Sequence, residues 1–304
     1  MPQRGAFDRG ETAEEIARTQ ASRYRRVPGT RRNGVQCVAL RECVVEDPSA
    51  DQTEPVTSTT TAATVVLVHG AWHGGWCFAK TVAALEAKGV SAIAPDLPGH
   101  GADSGPLGGL AEDAQRIREV IAATPGPVVL LGHSYGGLVI SEAASDPVTA
   151  ARVRRLVYLC AIVTAPGETF FSVPADHSRS LLGPLIRAGA DGVSTIDTSD
   201  VAAARAVFFG DCSDDDAASA VANLSPQPLG NMSSAISGDP LATLPATYIR
   251  CTEDRTIPIE VQDALIASAS GSARSLDTIT LSASHSPFLS MPEALADHLV
   301  GLTR

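Results

Sequence analysis

Short apolar runs alternate with longer amphipathic stretches from Thr64 to the end of the chain. The runs are rich in β-branched residues and are not interrupted by polar ones, which is typical of strands covered on both faces. The predicted strands are 64–69, 91–95, 127–132, 154–160, 246–251 and 276–281, and the predicted helices are 76–88, 109–123, 135–146, 258–269 and 291–303. This order predicts βαβ units and a mostly parallel sheet with helices on both faces.

The alternation breaks between Ala165 and Pro245, a stretch rich in Ser, Asp, Gly and Pro. Connections of about 80 residues are too long for a loop in a compact domain and indicate an insertion. We expect a largely helical cap over 165–245, with helices at 177–189, 199–209 and 213–223. Ser213 is the expected N-cap of the last helix, and Asp214–Asp216 would lie in its first turn, where the helix dipole favours negative charge. The core then comprises 63–164 and 246–304.

Residues 1–62 follow a different pattern and are expected to form a partly flexible N-terminal arm. The arm leads into the Thr/Ser/Ala-rich stretch 57–64, which is typical of a linker. Thr12–Arg23 predicts a short helix, and Val35–Val45 predicts either a strand at the sheet edge or a loose tail. No apolar run follows the arginine pairs of the first 30 residues, so no secretory or twin-arginine signal is readable and we expect a cytoplasmic protein.

The charge and the cysteines exclude several classes of partner. With 304 residues and a formal net charge of −11, the chain offers no basic field for nucleic acid or anionic lipid. No apolar run approaches the roughly 20 residues of a membrane helix. The six cysteines lack CxxC or Cys/His spacing, which predicts buried thiols. We expect no nucleic-acid or membrane partner, no metal and no cofactor, while a homodimer is compatible with the sequence.

Residues 132–136 read GHSYG and lie between the apolar run Val128–Leu131 and a predicted helix. A Gly-x-Ser-x-Gly pattern in this strand–turn–helix context is typical of a nucleophile elbow, a sharp turn that presents a serine above the sheet. Such a turn leaves no room for side chains two residues to either side of the serine. Ser134 is therefore the candidate nucleophile.

A serine hydroxyl is a weak nucleophile at neutral pH and needs a base, which is held in turn by an acid. In chains with a nucleophile elbow the order is serine, acid, histidine. Asp254 lies just past strand 246–251, and His285 lies just past strand 276–281. Both are expected at the carboxyl edge of the sheet, where open α/β sheets bind ligands. The sequence predicts a triad of Ser134, His285 and Asp254.

Several other acids and histidines of the chain are compared with the three triad candidates. Glu253 is an alternative acid, whereas Asp96 precedes Ser134 and lies in a loop, 95–101, that predicts a tight structural turn. His133 is expected to point away from the reacting centre. His177 in the cap and His298 on the last helix are expected to serve packing or the surface.

Residues 69–76 read HGAWHGGW and follow the first predicted strand. A glycine-rich turn here allows a backbone N–H to face the nucleophile. The expected oxyanion donors are the N–H groups of Ala71 and Tyr135. The alternative is a loop whose glycines serve only aromatic packing. No catalytic role is assigned to His69, His73 or Trp76, because each could equally brace the loop or touch a substrate.

Four segments carry a resemblance to a known family: 69–76 (HGAWHGGW), 132–137 (GHSYGG), 251–254 (CTED) and 285–288 (HSPF). Over residues 64–304 the chain resembles the α/β-hydrolase branch that holds plant methyl esterases, hydroxynitrile lyases and their bacterial esterase relatives. The resemblance implies the α/β-hydrolase fold. It also places Ser134, Asp254 and His285 at the triad positions, and Ala71 and Tyr135 at the oxyanion positions.

Two positions distinguish this chain from the lyases that it resembles. The cyanide-releasing members carry a lysine directly after the catalytic histidine and a threonine in the first turn, where this chain has Ser286 and Gly70. The resemblance therefore implies hydrolysis of a small-molecule carboxylic ester through an acyl-enzyme on Ser134. A serine nucleophile also argues against the dehalogenase and epoxide-hydrolase relatives, which need a carboxylate.

Several other functions use the same residues and stay open. They are a thioesterase, lactonase or cyclase of a biosynthetic pathway, and a cofactor-free lyase that uses the triad as a base. A ligand-binding protein that keeps the fold and pocket without turnover is an alternative from another class, because a fold does not determine a function. The sequence does not identify the residues that select the substrate.

Deletion of residues 1–60 is expected to leave a folded and active protein, because every predicted core strand and each candidate site residue lies beyond them. Thermal melts and specific activities of the full and shortened chains should coincide. An insoluble or inactive shortened chain would show instead that Val35–Val45 pairs with the sheet, since its removal would expose unpaired backbone groups.

Overall fold

The structure, a computed structural model, describes residues 62–271, 273 and 275–303. The predictions for Thr12–Arg23 and Val35–Val45 therefore lie outside the described residues. The strands are β1 (Thr64–Val68), β2 (Ala92–Ile93), β3 (Val128–His133), β4 (Val153–Leu159), β5 (Ile186–Ala188), β6 (Val193–Ile196), β7 (Gln227–Pro228), β8 (Ala246–Cys251) and β9 (Leu276–Leu281). The α-helices are α1 (Ala79–Ala87), α2 (Leu110–Ala123), α3 (Gly136–Ala144), α4 (Pro147–Ala150), α5 (Val201–Phe208), α6 (Asp214–Ala222), α7 (Ile259–Ser270), α8 (Pro287–Ser290) and α9 (Pro292–Leu302).

Six strands form one parallel sheet in the order β2-β1-β3-β4-β8-β9. Alternate residues pack on opposite faces, so that Val66 and Val68 of β1 belong to one buried cluster and Val65 and Leu67 to the other. Helices α2, α3 and α7 contribute to the first cluster, and α1 and α9 contribute to the second. This arrangement confirms the predicted parallel sheet with helices on both faces, because such strands need an apolar partner on each side.

The predicted core elements are present, with small differences at their ends. Five of the six strands begin and end within one residue of the prediction, whereas strand 91–95 is reduced to Ala92–Ile93. The predicted helix 76–88 begins as a 3-10 turn over Gly75–Phe78 and continues as α1. Helix α3 ends before the predicted residue 146, because Asp146 caps α4 and accepts the Thr149 N–H at 2.8 Å.

The insertion between β4 and β8 is mixed α/β rather than largely helical. Strands β5, β6 and β7 form a separate antiparallel sheet. The predicted helix over 177–189 is wrong: the chain makes a 3-10 turn over Gly183–Leu185 and continues as β5. Pro184 cannot extend a preceding helix, and Ile186 pairs across the small sheet with Ile196. The predicted helices at 199–209 and 213–223 are present as α5 and α6.

The acidic run at the start of α6 serves capping and an ion pair. The Ser213 hydroxyl accepts the Asp216 N–H at 3.2 Å, so Ser213 is the N-cap that the sequence predicts. The Asp216 carboxylate also lies 2.7 Å from Lys80 Nζ on α1. The ion pair therefore links the insertion to the core.

The sequence also gives expectations for membrane-spanning helices and for the cysteines. None of the helices in the described part of the chain combines the length and the apolar character that a membrane span requires. Cys77, Cys160, Cys212 and Cys251 are buried free thiols, as expected. The remaining cysteines, Cys37 and Cys43, lie outside the described residues.

The turn between β3 and α3 brings backbone segments into direct contact. A Cβ added at Gly132 would lie 2.3 Å from the Gly136 carbonyl oxygen, and one added at Gly136 would lie 2.6 Å from the Val68 carbonyl oxygen. Both distances are shorter than real Cβ contacts. Strands β1 and β3 and helix α3 can therefore approach this closely only because these residues are glycines.

Gly132→Ala is expected to lower the free energy of unfolding by about 1–3 kcal/mol, the usual cost of overpacking. Gly301→Ala in α9 is the control, because nothing lies within 4 Å of a Cβ added there. Alanine favours a helix over glycine by roughly 0.5–1 kcal/mol. The urea concentration at the midpoint of unfolding should therefore fall for Gly132→Ala and rise for Gly301→Ala. A Gly132→Ala chain as stable as the native one would show that the turn can relax.

Candidate active site

Ser134 follows β3 at the carboxyl edge of the sheet. Strands β2 and β3 pair with opposite edges of β1, so the direction of the strand order reverses here. Such a topological switch point is the usual ligand position in open α/β sheets. Ser134 has φ of 53°, in the left-handed region that residues other than glycine rarely adopt. Its N–H donates to the Leu159 carbonyl at 3.2 Å, and its carbonyl accepts the Ile162 N–H at 2.9 Å. The end of β4 and the loop after it therefore hold the turn.

The structure brings His285 and Asp254 together close to this turn. His285 Nδ1 lies 2.7 Å from Asp254 Oδ2, and both side chains are buried. Because Asp254 accepts the Nδ1–H, Nε2 is the nitrogen that can accept a proton. The His285 ring lies 4.5 Å, centroid to centroid, from the ring of His133, the residue before Ser134.

The loop after β8 orients the Asp254 carboxylate. Its Oδ1 accepts the N–H groups of Thr256 at 2.7 Å and Ile257 at 2.9 Å. Gln262 of α7 donates to Oδ2 at 3.4 Å. The alternative acid, Glu253, is exposed, and no hydrogen bond joins it to His285 among the described residues. The geometry therefore favours Asp254 as the partner of His285.

The two predicted oxyanion donors lie on either side of Ser134. Ala71 is in the loop after β1, and Tyr135 is the N-cap of α3. Within the described residues, neither backbone N–H pairs with a protein acceptor. Both groups are available to a developing negative charge. Gly70 is required by the packing here, because an added Cβ would lie 2.8 Å from Ser134 Cβ.

Two histidines that the sequence left unassigned brace the loop after β1. His69 Nε2 accepts the Leu97 N–H at 3.1 Å, so Nδ1 carries the proton and donates to the Gly70 carbonyl at 2.9 Å. His73 Nδ1 donates to the Ala71 carbonyl at 2.8 Å. Burial lowers the pKa of His69 to about 3 and that of His73 to about 4. Both rings are neutral at pH 7, which suits a structural role.

His133 and Asp96 make hydrogen bonds to the backbone that give both residues a structural role. His133 Nε2 donates to the His285 carbonyl at 2.8 Å, a contact that sequence reasoning missed because the partners are 152 residues apart. Asp96 accepts the N–H groups of Gly75 at 2.6 Å and Ala102 at 2.9 Å, so its loop is a structural turn, as predicted.

Among the residues that the structure describes, one group of potential metal ligands lies in the site. Ligand atoms of His133, Cys160 and His285 lie within 4.8 Å of one another. Both histidines already make the hydrogen bonds described above, and burial raises the pKa of the Cys160 thiol well above its usual value. A neutral thiol is a poor ligand, so these residues do not make a favourable metal centre.

A cavity of about 380 Å³ lies beside Ser134, between the sheet and the insertion. Its wall is mostly apolar and includes Trp72, Phe170, Phe171, Leu182, Ile186 and Met232. His177, which the sequence assigned to packing or the surface, also lines the cavity and lies 5.1 Å from the Phe170 ring. Such a wall suits an apolar group of a small molecule.

The fold and these residues define an α/β hydrolase, and comparison with known proteins agrees. Residues 65–298 match the alpha/beta hydrolase family, and the chain belongs to it. It is 33% identical over 251 residues to a pyrethroid hydrolase of Sphingobium wenxiniae, covering 78% of this chain and 86% of that protein.

Solved structures support the same assignment. A crystal structure of a pyrethroid hydrolase from Sphingobium faniae JZ-2 is 30% identical, with a TM-score of 0.68 over 80% of this chain and 98% of the other. A methylesterase from Arabidopsis, 22% identical, shares the fold with a TM-score of 0.63 over 79% of this chain and 98% of that one. The resemblance to the methyl esterase branch and its bacterial relatives is confirmed.

Proposed function

We propose that this chain is a serine hydrolase that cleaves a small carboxylic ester through an acyl-enzyme on Ser134. The observation that carries the proposal is the buried His285–Asp254 hydrogen bond of 2.7 Å next to the left-handed turn at Ser134. Relatives named as a pyrethroid hydrolase and as a putative methylesterase of Arabidopsis thaliana, 28% identical over 245 residues, support an ester as the substrate.

In the proposed reaction, His285 Nε2 takes the proton of Ser134 as Oγ attacks the ester carbonyl. Asp254 holds the required tautomer and stabilises the imidazolium that forms. The N–H groups of Ala71 and Tyr135 donate to the oxyanion of the tetrahedral intermediate. The alcohol leaves with the proton from His285. Water, activated by the same histidine, then releases the acid and regenerates Ser134.

The cavity favours a neutral, apolar ester. The described residues that line it include no carboxylate and no guanidinium or ammonium group. A charged substrate would therefore lose hydration without gaining an ionic partner among them. Phe170 and Phe171 offer aromatic surface to either the acyl or the alcohol portion.

Hydrolysis is proposed over lyase chemistry because of Ser286. The side chain of this residue is buried, and its hydroxyl has no partner among the described residues. A hydroxyl cannot supply the positive charge that a lysine supplies at this position in the lyases that the chain resembles. A leaving cyanide would therefore lack a cation to stabilise it.

Ser134→Ala and His285→Ala should each reduce ester hydrolysis at least roughly a thousandfold, and the double variant should be little worse than either single one, because the triad acts as a unit. Steady-state rates with a nitrophenyl ester series of increasing acyl length measure this and also test the apolar cavity. Near-native turnover by Ser134→Ala would refute the proposed nucleophile.

Asp254→Asn should lower kcat by up to roughly 10⁴-fold while preserving the fold, because an amide no longer favours the reactive imidazole tautomer. Glu253→Gln is the matched control, since it makes the same chemical change at the adjacent, exposed residue. Its kcat should stay near the native value. If the two variants show the reverse order, Glu253 is the acid and the hydrolase assignment still stands.

A further inference from the structure

Asp113 of α2 is a buried carboxyl group that the proposed reaction does not use. Its side chain is fully buried. Its Oδ2 accepts the Tyr135 hydroxyl at 2.7 Å and the Asn231 side-chain amide at 3.4 Å. A carboxyl group buried in this way is costly unless its hydrogen bonds are needed.

The first of these bonds reaches the nucleophile turn. Tyr135 follows Ser134, its backbone N–H is a proposed oxyanion donor, and its ring is fully buried. The hydroxyl group therefore anchors the far end of a residue whose near end belongs to the site. Donors must lie within about 2.7–3.1 Å of the oxyanion, so a small displacement of Tyr135 would weaken this contact.

The second bond reaches the insertion. Asn231 lies in the 3-10 turn Leu229–Ser233, and its amide also donates to the Gly108 carbonyl at 3.0 Å. The next residue, Met232, lines the cavity beside Ser134. Gly108 closes over the carboxyl group, because a Cβ added there would lie 2.6 Å from Asp113 Oδ1. Asp113 thus joins the nucleophile turn, the loop before α2 and one wall of the cavity.

We propose that Asp113 is a positioning residue that, through Tyr135 and Asn231, fixes the oxyanion side of the nucleophile turn relative to the cavity wall. The inference rests on the proposed function of Ser134. Loss of the acceptor would leave the buried Tyr135 hydroxyl without its acceptor and the Asn231 amide with the Gly108 carbonyl alone. The effect should fall on kcat rather than KM, because the oxyanion develops only in the transition state.

The surroundings of Asp113 also shift its pKa. Burial raises its pKa to about 7, an effect that the Tyr135 hydrogen bond opposes and the charge of Glu112 reinforces. These are the titratable groups that face it from the nucleophile turn and from its own helix, while the insertion contributes the neutral Asn231. Burial raises the pKa of Tyr135 as well, so its hydroxyl remains a donor.

The experiment compares three variants of α2. Asp113→Ala removes the acceptor, Asp113→Asn keeps a carbonyl oxygen that can accept both bonds, and Ile117→Ala truncates a buried apolar residue of the same helix as a control for destabilisation. Each protein is first titrated with a fluorophosphonate, so that rates refer to reactive Ser134 sites. We expect kcat per site to fall about tenfold in Asp113→Ala, as for one lost hydrogen bond, with KM little changed. Asp113→Asn should largely restore kcat, and Ile117→Ala should keep it.

Tyr135→Phe removes the same hydrogen bond and keeps both the ring and the backbone N–H, so it serves if Asp113→Ala does not fold. The same loss of kcat is expected. Unchanged kcat per labelled site in either variant would overturn the positioning role, as would an equal loss in Ile117→Ala. Failure of the native chain to label at Ser134 would instead overturn the proposed function.

A second measurement does not depend on activity. Between an ordinary carboxyl pKa of about 4 and the raised value of about 7, the folded chain holds a proton that the unfolded chain has lost. Asp113 therefore makes the folded state less stable as pH rises through this window. The melting temperature of the native chain relative to Asp113→Asn should fall between about pH 4 and about pH 7. A constant difference would contradict the buried carboxyl group on which the inference depends.

Discussion

The candidate site depends most on the left-handed backbone conformation of Ser134, because the other groups of the site are arranged around that turn. Holding a residue other than glycine in this conformation costs on the order of 1–3 kcal/mol. The surrounding structure supplies that energy: Gly132 and Gly136 let β1, β3 and α3 meet, and hydrogen bonds from both sides of Ser134 reach β4 and the loop after it. The serine consequently stands at the sheet edge, next to two backbone N–H groups, of Ala71 and Tyr135, that have no protein acceptor in the described part of the chain.

The proposed acid and base, Asp254 and His285, depend on the same packing. His285 is held at its backbone by His133 and at its ring by Asp254, so the core beneath the turn determines the orientation of the imidazole. The insertion provides the remaining wall, and its apolar side chains, among them Phe170, Leu182 and Met232, line the cavity beside Ser134. The bonds of Asp113 connect these two parts, so the cavity wall and the nucleophile turn share one buried hydrogen-bond acceptor.

The sequence predicts the parts of this protein whose signals are local. Strand β3 and Ser134 follow from an apolar run next to a glycine-rich turn, and Asp254 and His285 follow from their order after later strands. The small sheet of the insertion is not predictable in this way, because Ile186 meets Ile196 only through pairing of short strands across a turn. The role of Asp113 is equally hidden, since its partners Tyr135 and Asn231 lie 22 and 118 residues away.

The most direct test of the account is to trap the covalent intermediate. The native protein is mixed rapidly with a nitrophenyl ester, quenched in acid and digested, and the acylated peptide is identified by mass spectrometry. The account predicts a burst of nitrophenol and an acyl group on Ser134. Turnover of the ester with no covalent adduct, or with the acyl group on another residue, would contradict it.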